Sequence, residues 1–206
     1  MSVSRDEEVE KTLRGADLHR EWETRYRTTQ NARFFDMAFR HILSALNAPS
    51  CAKWLDAGCG ACSHSIRLAA GGFFVVAVDF SESVLEMAEE NLRASGLGER
   101  IALRRENILS LSFPDETFDS VSCWGVLMHI PDLEKAISEL ARVLKRGGTI
   151  VISEGNMYSL QSLLIRALRK LRGNPKHKTQ RTPAGSDLPQ CSDGQRPAPN
   201  CNRTLI

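Results

Sequence analysis

The sequence predicts an α/β fold in which a parallel sheet is doubly wound, with helices on both faces. Two observations predict it. Short apolar runs alternate with stretches of helical spacing from about residue 50 to about residue 155. One of these runs, Lys53-Trp54-Leu55-Asp56-Ala57, leads into Gly58-Cys59-Gly60-Ala61 ahead of a helical stretch, and the next, Val75-Val76-Ala77-Val78, ends on Asp79. Glycines let the backbone approach a ligand closely, and the helix start offers free N–H groups. A carboxylate at the tip of the next strand suits the hydroxyls of a ribose.

The elements follow in order. Residues 1–48 form an N-terminal helical segment, charged up to about residue 30, where Trp22 and Tyr26 stand one turn apart. The better helix runs from Asn31 to Leu46, with Phe34, Phe35, Ala38, Ile42 and Leu46 as its apolar stripe, and Ala48-Pro49-Ser50 stops it. The core, residues 49–156, places strands at 52–57, 73–78, 101–105, 118–124 and 148–153. Helices fall at 63–70, 82–94 and 132–145. Ser81 reads as a helix N-cap and Gly96 as a stop; Pro131-Asp132 opens the last helix and Gly147-Gly148 closes it. Residues 157–172 read as a basic amphipathic helix, with Leu160, Leu164, Leu168 and Leu171 on one side. Residues 173–206, rich in Pro, Gly, Ser, Asn and Gln, read as a disordered tail.

The ligand is narrowed by elimination. A phosphate-binding loop would end in Gly-Lys-Ser/Thr, whereas this one continues Gly60-Ala61-Cys62-Ser63. A dinucleotide loop fits loosely, but Asp56 would face a pyrophosphate with like charge. The same carboxylate suits a ligand with an ammonium group and no phosphate, which describes S-adenosylmethionine.

At this point the residues resemble a known family. Leu55-Asp56-Ala57-Gly58-Cys59-Gly60 is similar to motif I of the class I S-adenosylmethionine-dependent methyltransferases. Three further stretches resemble later motifs of that family, in family order: Val78-Asp79-Phe80-Ser81, Leu111 to Asp119, and Leu140 to Gly148. The resemblance covers roughly residues 50 to 155. It implies a Rossmann-like sheet, S-adenosyl-L-methionine as cofactor, and a cofactor site formed by Asp56, Gly58, Cys59, Gly60, Asp79, Phe80, Asn107, Ile108 and Trp124. The family has a third glycine near position 62, where this chain has Cys62, and often an Asp after the third strand, where it has Asn107. The family's last two strands, an antiparallel hairpin, find no match, so the expected sheet is C-terminally shortened.

The acceptor is read less directly. The net charge of +2 shows no nucleic-acid preference, and no apolar stretch is long enough to span a bilayer. A charged N-terminus and six cysteines, four of them in or beside apolar elements, point to a reducing, cytoplasmic setting. Cys59 and Cys62 form a C-x-x-C, but no second pair stands at zinc spacing, so both are assigned to the loop and no metal is expected. Methyl transfer needs alignment first and a base second. His129, after the fourth strand, has a pKa suited to proton transfer; alternatively it packs beside the helix opening at Pro131. Glu154 either lines the substrate side or pairs with a surface lysine. Asp115 and Asp119 read as turn and strand-entrance residues. The expected activity is methylation of a small-molecule acceptor. A non-catalytic binding or scaffolding module is the alternative, and a nicotinamide-dependent enzyme the third possibility. The helix at 157–172 is read as packing on the open sheet, with membrane-surface contact through 157–181 as the second reading.

Overall fold

In the computed structural model the apolar runs form one parallel sheet; the structure describes residues 20–21, 24, 28–46 and 51–154 and the backbone of 180–181 and 187–188. Helix α1 (Thr29–Leu46) precedes β1 (Lys53–Ala57). Then come α2 (Ser63–Ala70), β2 (Phe74–Asp79), α3 (Glu82–Ser95) and β3 (Ile101–Arg105). β4 (Phe118–Trp124), α4 (Leu133–Val143) and β5 (Leu144–Ser153) complete it. The strand order is β3-β2-β1-β4-β5, every pairing parallel. The first three strands extend one way and the chain then crosses back, which leaves a crevice between the ends of β1 and β4. Sheets of this kind bind ligands there.

Period-two alternation decides which helix covers which face. Trp54, Val75 and Ala77 pack with Phe39 of α1, Leu68 of α2 and Ala88 of α3. Leu55, Ala57 and Val121 pack on the other side with Ala136, Leu140 and Val143 of α4. Both faces are therefore buried, as a parallel sheet requires.

Several local readings hold and some shift. Asp132 caps α4, its Oδ1 accepting from the Lys135 N–H at 3.0 Å. Gly96 ends α3 with φ +69°. Ser81 occupies the N-cap position of α3, but its side chain makes no capping bond and lies 3.2 Å from the Ser83 hydroxyl instead. The last helix ends at Val143 rather than 145, and β5 begins at Leu144 rather than 148. The β4–β5 register jumps between the Phe118↔Leu144 and Ser120↔Thr149 pairs, so the Lys145–Gly148 stretch bulges. A Cβ on Gly148 would lie 2.8 Å from the Asp119 carbonyl oxygen, so this turn requires glycine. Asp119 does hold the strand entrance: it accepts from the Lys53 N–H at 2.8 Å and from Lys145 Nζ at 2.6 Å.

Arg142 organises the approach to β4. Its guanidinium donates to the carbonyls of Phe113 and Leu111 at 2.8 and 2.9 Å and pairs with Asp115 and Glu139. Glu139 also accepts from the Leu111 N–H, and Arg142 beside it pulls its carboxyl pKa down to about 2. A depressed carboxyl stabilises the fold above its unfolded pKa, near 4.5, and loses that contribution as pH falls toward 2. Glu139→Gln is expected to reduce stability by about 1 kcal/mol at neutral pH, because water screens a partly exposed pair. Urea denaturation at pH 7 and pH 3 checks this: the gap between wild type and variant should narrow at the lower pH.

The expected helix at 157–172, and Trp22 and Tyr26, lie outside the described residues. In the tail, Gln180–Arg181 and Asp187–Leu188 form a separate antiparallel pair that does not extend the main sheet. Among the described residues no helix is long and apolar enough to cross a membrane.

Candidate active site

The turn after β1 is pinned to β2 by its own amides. The N–H groups of Gly58 and Cys59 both donate to the Val78 carbonyl, at 2.8 and 2.9 Å. Gly58 has φ +74°, and a Cβ there would lie 2.4 Å from a Val126 methyl carbon. Gly60 also has positive φ, but nothing lies within 4 Å of the Cβ position. One side of the turn is thus closed by the β4 loop and the other opens outward, as a cradle for a ligand must. Asp79 bridges turn and strand: its Oδ2 accepts from the Gly60 N–H at 3.1 Å and its Oδ1 from the Ser81 N–H at 3.0 Å. A carboxylate has about four lone-pair directions, so these bonds are compatible with a diol at the same group. This arrangement fits a nucleoside with a free ribose.

Cys62 takes the position where the family has its third glycine, and the backbone explains that preference. It lies in the left-handed region, φ 68° and ψ 13°, and is fully buried. Its neighbour Cys59 is buried too, and the adjacent Cys62 thiol and burial push the Cys59 thiol pKa well up. Cys62→Gly should leave stability within about 1 kcal/mol of wild type, because relief of the left-handed strain offsets the lost thiol packing. Cys62→Val should cost about 2 kcal/mol or more, since a β-branched residue resists that backbone. Denaturant midpoints of the two variants test the pair.

Asp56 sits differently from the sequence expectation. It is 2 % exposed, and both its oxygens are held by serines: Ser65 Oγ donates at 2.5 Å and Ser122 Oγ at 2.8 Å. Ser122 in turn receives the Trp54 indole N–H at 3.1 Å. Burial raises the Asp56 pKa, with the two serine bonds opposing. The carboxylate therefore ties β1, β4 and α2 together beneath the turn. Ser65 and Ser122 belong to no motif, and no sequence signal marked them.

At the end of β3, Asn107 Oδ1 accepts from the Leu109 N–H at 2.9 Å, so its amide nitrogen is the group turned to other partners. Ile108 is buried in the α4-side core. Phe80 is half-buried just past β2, its carbonyl accepting from Arg105 at 3.2 Å. Trp124 lies apart from these, because β2 and β1 separate β3 from β4. Its ring packs at 5.3 Å on Phe39, at 5.1 Å on His64 and edge-on at 5.9 Å on Phe35. Burial among these rings holds the His64 pKa near 3, which keeps the imidazole neutral. His64 and Phe39 were not singled out in the sequence, and Phe35 only as part of the α1 apolar stripe; no local pattern brings residues 35, 39, 64 and 124 together.

His129 ends a short helical turn, Leu127–His129, on the loop after β4, its N–H donating to the Val126 carbonyl at 2.9 Å. That loop is held by Glu154, whose Oε1 accepts from the N–H groups of Val126 and Leu127 at 3.1 and 2.8 Å. Glu154 clamps this loop, and among the described residues it pairs with no lysine.

Residues 55–152 match the methyltransferase domain family. Over that segment, a little under half of the chain, the residues are similar to the class I S-adenosylmethionine-dependent methyltransferases. The methyltransferase domain is 39% identical over 80 residues to the demethylmenaquinone methyltransferase of Bacteroides fragilis, covering 39% of this chain and 33% of that one. It is 40% identical over 78 residues to the phosphatidylethanolamine N-methyltransferase of Cereibacter sphaeroides, covering 38% of each. A solved Pyrococcus horikoshii protein superposes with TM-score 0.62 at 25% identity, over 74% of this chain and 71% of that one. The chain spans about a third to a half of the length of the curated relatives it matches. The family's cofactor is S-adenosylmethionine, and the glycine turn and Asp79 of this chain fit it.

Proposed function

We propose that this methyltransferase domain transfers a methyl group from S-adenosylmethionine to a small, largely apolar acceptor. The observation that carries the reading is the bond from the Gly60 N–H to Asp79, which sets an open glycine turn against a carboxylate at the next strand end. When bound, the cofactor supplies a sulfonium-activated methyl group for in-line displacement at carbon. Gly58 and Gly60 admit it against the backbone, and Asp79 accepts from its ribose hydroxyls. Phe80, Asn107 and Ile108 flank the adenine, and Cys59 lines the turn. Asp56 acts beneath, by holding the turn through Ser65 and Ser122. We assign Trp124 to the wall of the acceptor side rather than to the adenine, because its ring faces Phe35, Phe39 and His64. His129, on the loop after β4, offers the acceptor a hydrogen bond.

Two features support an apolar acceptor. Both curated relatives named above are named for lipid acceptors, and α1 presents Phe34, 36 % exposed, edge-on to Phe35 of the aromatic cluster. Contact with a membrane surface through 157–181 would extend this reading. The alternative is a module that binds the cofactor without turnover. Calorimetric titration with S-adenosylmethionine and with its demethylated product tests the reading. Binding of both, with no binding of NAD, is the expected result; no binding of either would overturn it. Mass detection of a methylated quinol or amine product then separates the enzyme from the binding module.

A further inference from the structure

One buried group has no part in the chemistry described so far. Glu154 directly follows β5, and the Trp124↔Ser153 pair and the 2.7 Å bond from the Gly125 N–H to the Ser153 carbonyl place it at the ends of β4 and β5. Its Oε1 is fully occupied in clamping the loop at Val126 and Leu127. Its Oε2 is buried and, among the described residues, has no hydrogen-bond partner. A clamp needs one oxygen only. Leaving the second buried and unpaired is unfavourable, and such a group calls for a ligand or a function. Its place in the sheet says which. The cofactor cradle occupies the ends of β1, β2 and β3, so the ends of β4 and β5 remain for the acceptor.

We propose that Glu154 is a catalytic residue that takes the proton released by the methyl acceptor, with Oε2 as the receiving atom; this rests on the methyltransferase reading above. The acceptor is one whose nucleophilic atom carries a proton, such as a hydroxyl, an amine or a quinol carbon. A bond forms between that atom and the methyl carbon while the bond from methyl carbon to sulfur breaks. The electron pair of the broken bond goes to sulfur, which becomes a neutral thioether. The acceptor's proton passes to Oε2, the carboxylate becomes a carboxyl, and solvent removes the proton afterwards. Burial raises the Glu154 pKa, opposed in part by the loop amides, and so moves the group toward the range where a general base works. Among the described residues, the ionisable groups around it are the Cys123 thiol on β4, raised by burial and by Glu154, Asp56, which acts on the same thiol, and His129 on the clamped loop. The amides of Leu127, Val126 and Met128 fix the carboxylate's direction.

Glu154→Gln is the discriminating variant, because its carbonyl oxygen keeps the clamp while the base is lost. The probe is a short-chain naphthohydroquinone offered with S-adenosylmethionine to the full chain. The expected result is unchanged melting and unchanged affinity for the demethylated cofactor, with kcat down by roughly 100-fold or more and the acid limb of the pH profile gone. A Gln variant with wild-type kcat and pH profile would overturn the role of Glu154 and leave the methyltransferase reading standing. A wild-type chain that binds no S-adenosylmethionine would overturn both. Should the wild type bind the cofactor without turning over this acceptor, carbon-13 titration of Glu154 with demethylated cofactor bound decides. A pKa above the ordinary 4.5 supports the proposal, and one at or below it overturns it.

Discussion

Gly58→Val is expected to abolish measurable cofactor binding and to lower the stability of the domain. Two independent costs fall on one substitution. The backbone at Gly58 has φ +74°, where a β-branched residue is strained by about 1–3 kcal/mol. The new Cβ alone would lie 2.4 Å from one Val126 methyl carbon and 2.8 Å from the other, before the branches are counted. Val126 cannot yield easily, because Glu154 holds its amide. The turn must therefore move away from Val78, and its two anchoring bonds go with it. Calorimetry should show a loss in affinity greater than about 100-fold, together with a lower melting temperature. Gly60→Ala is the control: it shares the positive φ but meets nothing within 4 Å, so it should fold nearly as well. Retained binding by Gly58→Val would place the pocket elsewhere.

Asp79→Ala is expected to weaken S-adenosylmethionine binding by about 1.5–3 kcal/mol, the scale of lost charge-assisted hydrogen bonds, or roughly 10- to 150-fold in Kd. The loss has two parts. The ribose loses its acceptor, and the amides of Gly60 and Ser81 lose theirs, so the turn is no longer held against β2. Asp79→Asn separates these parts, since a carboxamide oxygen still accepts from an amide but carries no charge. Its affinity should fall between those of wild type and alanine. Unchanged affinity in Asp79→Ala would sink the ribose assignment.

The strands and their order of use were legible because each is a short apolar run between turn residues. β3 and β4 match the expected residues, 101–105 and 118–124, and the other strands shift only at their ends. The largest shift, at β5, comes from a bulge that repacks Lys145–Gly148 against β4, a contact between residues distant in sequence. At the site, the glycine turn and Asp79 were readable because one backbone conformation and one strand tip suffice to specify them. Asp56 was readable as a site residue, but the serines that hold it were not. Its partners Ser65 and Ser122 arrive from α2 and β4, and only the crossing of the chain sets them beside it. Trp124 was likewise placed at its strand end, but its ring neighbours were not readable, because they arrive from α1 and α2.

What the sequence determined by itself is whatever depends on neighbours along the chain. That covers the alternation of strand and helix, the turn that only glycine accommodates, and the acid at the end of the second strand. The tertiary structure alone decided which oxygens are satisfied and which are not. Glu154 shows the difference most clearly. Nothing in its surroundings at 151–154 says that one oxygen meets two amides of the loop after β4 and that the other is buried without a partner. Hydrogen-bond satisfaction is a property of three-dimensional packing. It emerges only when strands far apart in sequence are laid side by side and water is excluded between their ends.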